Sequence, residues 1–231
     1  KDTNMIAALF DFDGTLYTGH IWQDLVSHHR SAKRHRFWTA WYVTRNMAPM
    51  PLYKAGLLSK ERFFLMWAET MAWLVRGWSV EESQALFEQL TDDRVMPNLR
   101  EDVLAYVRRH QADGHVVALV SGAFAPWLGI VARRLGIAHA IGTPLEVREG
   151  RYTGRVVPPV CQGDGKAIRV RAYLAERDID IDWEASYAYA DRETDLGLLS
   201  QMGHPTAVYP DEVLLAEAEA RGWPVIGELS T

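Results

Sequence analysis

Four acidic residues, a serine and a lysine carry the chemistry open to this sequence. Asp11 and Asp13 flank Phe12 in the run Asp11-Phe-Asp-Gly-Thr15. Two carboxylates two residues apart converge on one cation if the chain turns around them. Hard oxygen ligands suit Mg²⁺, which accepts a few carboxylates and keeps positions for water and phosphate. Asp191 supplies a third oxygen, and Asp195, four residues on, can support it. Ser121 offers a hydroxyl, and Gly122 lets backbone N–H groups approach an anion closely. Lys166 lies in Gln162-Gly-Asp-Gly-Lys-Ala167, directly before a helix-like stretch, where its ammonium can neutralise a phosphoryl oxygen as a point charge. An aspartate is ionised at neutral pH without a separate base, since its reference pKa is about 3.9. Its attack on phosphorus gives an aspartyl-phosphate. A second carboxyl group can protonate the leaving oxygen and later activate water, while Mg²⁺ and Lys166 stabilise the charge on the transferring group.

These residues need elements to hold them. Ile6–Phe10 reads as a buried strand that ends on Asp11. His115–Val120 reads as a second strand with Ser121-Gly122 as its polar exit, and Ser186–Ala190 as a third that ends on Asp191. Residues 17–96 read as helical throughout, with helix-like apolar spacing over Arg30–Tyr42, Ser59–Arg76 and Val80–Leu90. Phe63, Met66, Trp67 and Met71 can share one face, and Met47-Ala-Pro-Met-Pro51 breaks two of these helices. From Pro97 onward the pattern alternates. Helices are expected around Val103–Val107, ended by Asp113-Gly114, and around Trp127–Leu135, stopped by Gly136. Others are expected around Ile168–Ala175 and over Asp211–Arg221. Glu146–Arg155 reads as a hairpin turning at Glu149-Gly150, with short final strands at Ala207–Tyr209 and Pro224–Ile226. Alternation of this kind predicts a mainly parallel sheet with helices on both faces, a Rossmann-like three-layer α/β core. In such sheets the ligand crevice lies beyond the carboxyl ends of the strands, where Asp11, Asp13, Ser121 and Asp191 fall.

The ordered set Asp11-Phe-Asp-Gly-Thr-Leu16, Leu119-Val-Ser-Gly122, Gly165-Lys166 and Asp191-Arg-Glu-Thr-Asp195 resembles the four motifs of the haloacid dehalogenase-like superfamily of hydrolases. The helical stretch between the first two motifs resembles the C1 cap of its phosphoserine-phosphatase-like subfamily (subfamily IB). Arg151-Tyr-Thr-Gly154 and the tail Ala216–Pro224 also resemble that branch, whose members act on phosphoserine or histidinol phosphate. The resemblance implies an α/β core over 1–16 and 97–231, with an α-helical cap over 17–96. It implies Asp11 as nucleophile, and Asp13 as general acid/base that also lends its backbone carbonyl to Mg²⁺. Thr15, Ser121, Gly122 and Lys166 would hold the phosphoryl group, Asp11, Asp13 and Asp191 the metal, and Asp195 would assist. The expected activity is Mg²⁺-dependent hydrolysis of a small phosphorylated metabolite, phosphoserine-phosphatase-like or histidinol-phosphatase-like. Asp13 favours hydrolysis, since the superfamily's dehalogenases lack this second aspartate. A phosphotransferase or phosphomutase using the same intermediate, and a catalytically degenerate protein that binds phosphorylated ligands, are the alternatives.

Two positions depart from the family pattern. Arg192 stands where a small residue often follows the first aspartate of the fourth motif. His20 stands nine positions after the nucleophile, where phosphoserine phosphatases carry an acid for the substrate's amino group; an imidazole binds an ammonium poorly. His20, Trp22 and Arg62 are the candidate substrate contacts of the cap.

Composition narrows the partners. The 231 residues carry 25 Lys+Arg against 30 Asp+Glu, a net charge of -5, which argues against nucleic acid as a general ligand. The single cysteine, Cys161, excludes an internal disulfide or a cysteine-based zinc cluster and reads as a buried small hydrophobe. No apolar run approaches the ~20 residues of a spanning helix, so stable membrane insertion is not expected. The chain opens on Lys1, so its start reads as processed or trimmed, and a removed signal peptide stays open. Cytoplasmic is the default location, and the oligomeric state, monomer or homodimer, is not set. The basic run His28–Arg36 followed by Phe37–Tyr42 reads either as an attractor of anionic substrates or membrane surface, or as a solvated helix continuing into a packing face. Six of nine tryptophans (Trp22, Trp38, Trp41, Trp67, Trp73, Trp78) fall in or at the start of the helical stretch; any that reaches the crevice would help choose the leaving group.

Overall fold

A computed structural model of the chain describes residues 4–33 and 35–229, without the side chain of Glu61; Lys1 and Arg34 of the basic run lie outside the described residues. Six parallel strands form the central sheet in the order β3-β2-β1-β6-β7-β8. They are β1 (Ala7–Phe10), β2 (Val116–Phe124), β3 (His139–Thr143), β6 (Tyr187–Ala190), β7 (His204–Val208) and β8 (Val225–Ile226). The two-residue period of β1 sorts its side chains to opposite faces. Ala8 and Phe10 join one buried cluster with Val103 and Val107 of α6 (Glu101–Ala112) and Leu128 and Val131 of α7 (Ala125–Arg134). Ala7 and Leu9 join a second, with Val170 and Leu174 of α8 (Asp164–Ala175), Leu198 of α9 (Leu196–Leu199) and Leu214 of α10 (Glu212–Arg221). That makes the three-layer α/β arrangement expected from the alternation.

Two details of the sheet differ from expectation. β3 has no counterpart in the sequence reading, because His139-Ala-Ile-Gly-Thr143 is short and holds few strand-forming residues. β2 does not stop at Val120 but runs through Ser121-Gly122 to Phe124, with its register against β3 shifted between Val120 and Phe124. Such irregularities re-aim side chains at the end of a strand, and here the one re-aimed is next to the candidate site.

Between β1 and α6 lie α1 (Ile21–Ser31), α2 (Arg36–Met47), α3 (Met50–Lys54), α4 (Lys60–Thr70) and α5 (Val80–Leu90), linked by short turns. The expected helix over Arg30–Tyr42 is two helices. Lys33 and His35 take left-handed conformations at φ 52° and 55°, which a helix interior does not tolerate. The basic run therefore ends α1 and begins α2. Within it His29 is buried and donates from Nε2 to the Leu74 carbonyl, while Phe37 and Trp41 are exposed and Tyr42 is buried. Ser59-Arg76 likewise splits into α4 and a 3₁₀ turn over Met71–Val75. α5 starts in a capping box, Ser79 with Glu82.

The hairpin β4 (Leu145–Arg148) and β5 (Arg151–Val156) turns on Glu149 and Gly150, both with positive φ, as a type I′ turn requires. Its far side bonds the helical stretch. The Gly77 N–H donates to the Tyr152 carbonyl at 2.7 Å, and the Tyr152 N–H donates to the Trp78 carbonyl at 2.9 Å. Among the described residues no helix is long and apolar enough to cross a membrane.

Candidate active site

The parallel register brings three strand ends level. Phe10 pairs with Leu119 of β2 and with Tyr189 of β6, so Asp11, Ser121 and Asp191 emerge on one edge of the sheet. Phe12 is fully buried, so the turn anchors on it. Asp11 and Asp13, on either side, both face the cavity. Gly14, at φ +91°, makes the turn possible: a Cβ there would stand 2.2 Å from Asp191 Oδ2. Gly165 acts similarly before Lys166, since a Cβ would stand 1.9 Å from the Val160 carbonyl oxygen.

At the centre is Lys166, whose Nζ lies 2.7 Å from Asp11 Oδ1 and 2.7 Å from Asp195 Oδ1, all three side chains buried. Thr15 Oγ1 lies 3.2 Å from Asp11 Oδ2 and 3.1 Å from Asp191 Oδ1, joining the two strand ends. Ser121 Oγ accepts from the Ala123 N–H, and Ser121 and Gly122 both line the cavity. Asp13 Oδ1 accepts from the Ile21 N–H at 3.2 Å.

Four carboxylates share this space, and their electrostatics follow from crowding. Burial, then the Asp11 charge, push Asp13 up to about 8, so it holds a proton at neutral pH. Burial and the charges of Asp11 and Asp195 hold Asp191 well above the carboxylate range. Asp195 is pushed up to about 6 by burial, against the pull of Lys166. Asp11 and Asp195 in turn raise Lys166 despite its burial.

The excess of carboxylates invites a cation. Asp11, Asp191 and Asp195 each offer an oxygen within 4.8 Å of the others, an all-oxygen donor set that fits Mg²⁺. In this geometric triad Asp195, expected only to assist, stands beside Asp11 and Asp191; the contribution expected of Asp13 is its backbone carbonyl.

The two departures meet each other. Arg192 Nε lies 3.3 Å from Asp191 Oδ2, and its other end donates to His20 Nε2 at 3.2 Å. Its guanidinium stands 5.9 Å from the Phe64 ring centre. Burial, then Arg192, push His20 down to about 4, so the ring is neutral and accepts. His20 and Trp22 line the cavity, whereas Arg62 is exposed and is not among the residues lining it.

The sequence reading missed Tyr42, Phe64, Gln162 and Thr194, which also line the cavity. The only signal for them was helical spacing within α2 and α4 and closeness to the motifs. It also missed Lys60, which bridges Glu193 at 2.9 Å and Asp211 at 3.3 Å and so ties the start of α4 to the loops after β6 and β7. Of the six tryptophans, Trp22 and Trp67 reach the cavity, and Trp38 and Trp41 pack against Trp73 instead. Cys161 is buried, donates to the Ile141 carbonyl, and is pushed up to about 12 by burial.

The chain is similar to several known proteins. A protein named probable phosphatase from Mycobacterium tuberculosis is 36% identical over 150 residues, 65% of this chain and 51% of that one. The chain thus spans about half the length of that relative. A phosphoserine phosphatase of the same organism is 30% identical over 228 residues, 95% of this chain and 70% of the relative. A histidinol-phosphatase of Neisseria meningitidis is 29% identical over 224 residues, 95% and 97% of the two chains. A solved structure from Bordetella pertussis, described as of unknown function, superposes with a TM-score of 0.80 at 33% identity, covering 97% of this chain and 99% of that one. The model of the haloacid dehalogenase-like hydrolases matches residues 8–200, and the chain belongs to that family.

Proposed function

We propose that the protein hydrolyses small phosphate monoesters through an aspartyl-phosphate on Asp11, in a core over 1–16 and 97–231 covered by a helical cap over 17–96. The observation that carries this reading is the buried junction of Lys166 with Asp11 and Asp195, bridged through Thr15 to Asp191. A carboxylate held this way, with Lys166 on Oδ1 and the Thr15 hydroxyl on Oδ2, is fixed in place beside a lysine that offsets an incoming anion's charge.

In the first step an Asp11 oxygen attacks phosphorus, and the bond from phosphorus to the leaving oxygen breaks. Asp13, protonated at neutral pH, gives its proton to the leaving oxygen. In the second step Asp13, now a carboxylate, takes a proton from water as that water attacks the aspartyl-phosphate. Phosphate leaves and Asp11 returns to its starting form. Thr15, Ser121, Gly122 and Lys166 hold the phosphoryl oxygens. Mg²⁺, which Asp11, Asp191 and Asp195 with the Asp13 carbonyl would hold, supplies Lewis-acid stabilisation of the phosphoryl charge. The relatives named phosphoserine phosphatase and histidinol-phosphatase support the reaction class. Asp11→Asn keeps the shape but removes the nucleophile. It should abolish phosphate release from a generic aryl phosphate in Mg²⁺, and full activity in that variant refutes the mechanism.

A further inference from the structure

We infer that the leaving alcohol accepted here is bulky and apolar and lacks an ammonium group. This rests on the phosphatase reading above and names its substrate class. The cavity over Asp11 has a volume of about 470 Å³, within the range that encloses ligands well beyond a three-carbon amino acid. Its polar end is the junction already described. Away from that end the cap supplies Trp22, Tyr42, Met50, Phe63, Phe64 and Trp67. The rings form one continuous wall: Trp22 stands 5.1 Å from Trp67, Tyr42 5.5 Å from Trp67, and Phe63 6.2 Å from Trp67.

Among the described residues lining the cavity, the only carboxylates are Asp11, Asp13 and Asp195, all engaged at the phosphoryl end. An ammonium on the leaving group would therefore lose its water with no counter-ion beside it. An aromatic wall can hold a cation by its ring faces, but here Arg192 lines the same cavity beside Phe64 and would repel a second positive charge. An uncharged aromatic or aliphatic alcohol meets neither obstacle and gains from every apolar area it covers.

The test is kcat/KM for phosphate release by the full chain in Mg²⁺, over pairs that differ in the apolar area of the leaving group. Geranyl phosphate against ethyl phosphate gives the aliphatic arm, and 1-naphthyl phosphate against phenyl phosphate the aromatic arm. O-phosphoserine, histidinol phosphate and phosphocholine form the cationic set. We expect geranyl over ethyl by on the order of a hundredfold and naphthyl over phenyl by about tenfold, from the extra apolar area buried. Whichever arm shows the larger gain identifies the alcohol as aliphatic or aromatic. Phe64→Ala should lower the geranyl-to-ethyl ratio about tenfold, and Phe64→Leu should restore most of it. A cationic ester turned over as well as the best apolar one, or a ratio unmoved in Phe64→Ala, overturns the inference while leaving the phosphatase reading intact. No turnover of any ester overturns both.

Discussion

Replacing Lys166 by Met removes the cation at the centre of the site with little change in side-chain length. Two buried carboxylates, Asp11 and Asp195, each 2.7 Å from its Nζ, then lose their partner. Removing one side of a buried ion pair costs about 3–5 kcal/mol. For a chain of this size each kcal/mol moves the midpoint by about 2–4 °C, so at about pH 8, in chelator, the variant should melt ~6–20 °C below the parent. The sign of the pH dependence follows from linkage. Asp195 sits at about 6 with Lys166 lowering it; without that lysine its folded pKa climbs further above the unfolded value of about 3.9. A carboxyl group raised on folding destabilises the fold above its unfolded pKa, and the penalty shrinks as falling pH protonates it. Between about pH 8 and pH 6 the variant's fold should bind about one more proton than the parent's, closing the gap by about 1.4 kcal/mol per pH unit. The assay is thermal or urea unfolding of both proteins at the two pH values. A gap of equal size at both, or no gap at pH 8, refutes the electrostatic account of the junction. Turnover should fall at least about a hundredfold, the scale of losing one preorganised charge partner.

Two further outcomes follow from the same geometry. Mg²⁺ at a hundredfold excess over its dissociation constant should stabilise the protein by about 2.7 kcal/mol, or ~5–10 °C. Asp191→Asn should erase that shift, and an equal shift in the variant would place the ion elsewhere. Lys60→Met severs both bridges from α4 to Glu193 and Asp211. Two half-exposed pairs are worth about 1 kcal/mol together, so hydrogen exchange across α4 should speed about fivefold, and unchanged exchange would deny the bridges a part in holding α4.

How much of this was legible in the sequence depended on what kind of residue carried it. The strand ends at Asp11, Ser121 and Asp191 could be read because a buried strand followed by a polar turn leaves a local pattern. The hairpin turn at Glu149-Gly150 and the helix stops at Gly114 and Gly136 could be read because each uses a positive φ. β3 could not, since its pairing with β2 supplies the order that His139–Thr143 does not encode locally. Nor could the break at Lys33 and His35, where non-glycine residues take a glycine-like conformation. Arg192 and His20 stood out by departing from a pattern, yet only the fold shows that they contact each other across 172 positions. The apolar wall was the least legible part. Trp22, Tyr42 and Trp67 come from different helices, α1, α2 and α4, and a helical spacing that packs a core looks the same as one that lines a cavity.

The nucleophile is the central claim, and acid quenching of the enzyme during turnover tests it most directly. Peptide mass analysis should find one phosphoryl group, lost in base, on the peptide that contains Asp11, and none in Asp11→Asn. A phosphoryl group on the peptide carrying Ser121 instead, or steady turnover with no phosphoryl group on the protein at any quench time, would contradict the account.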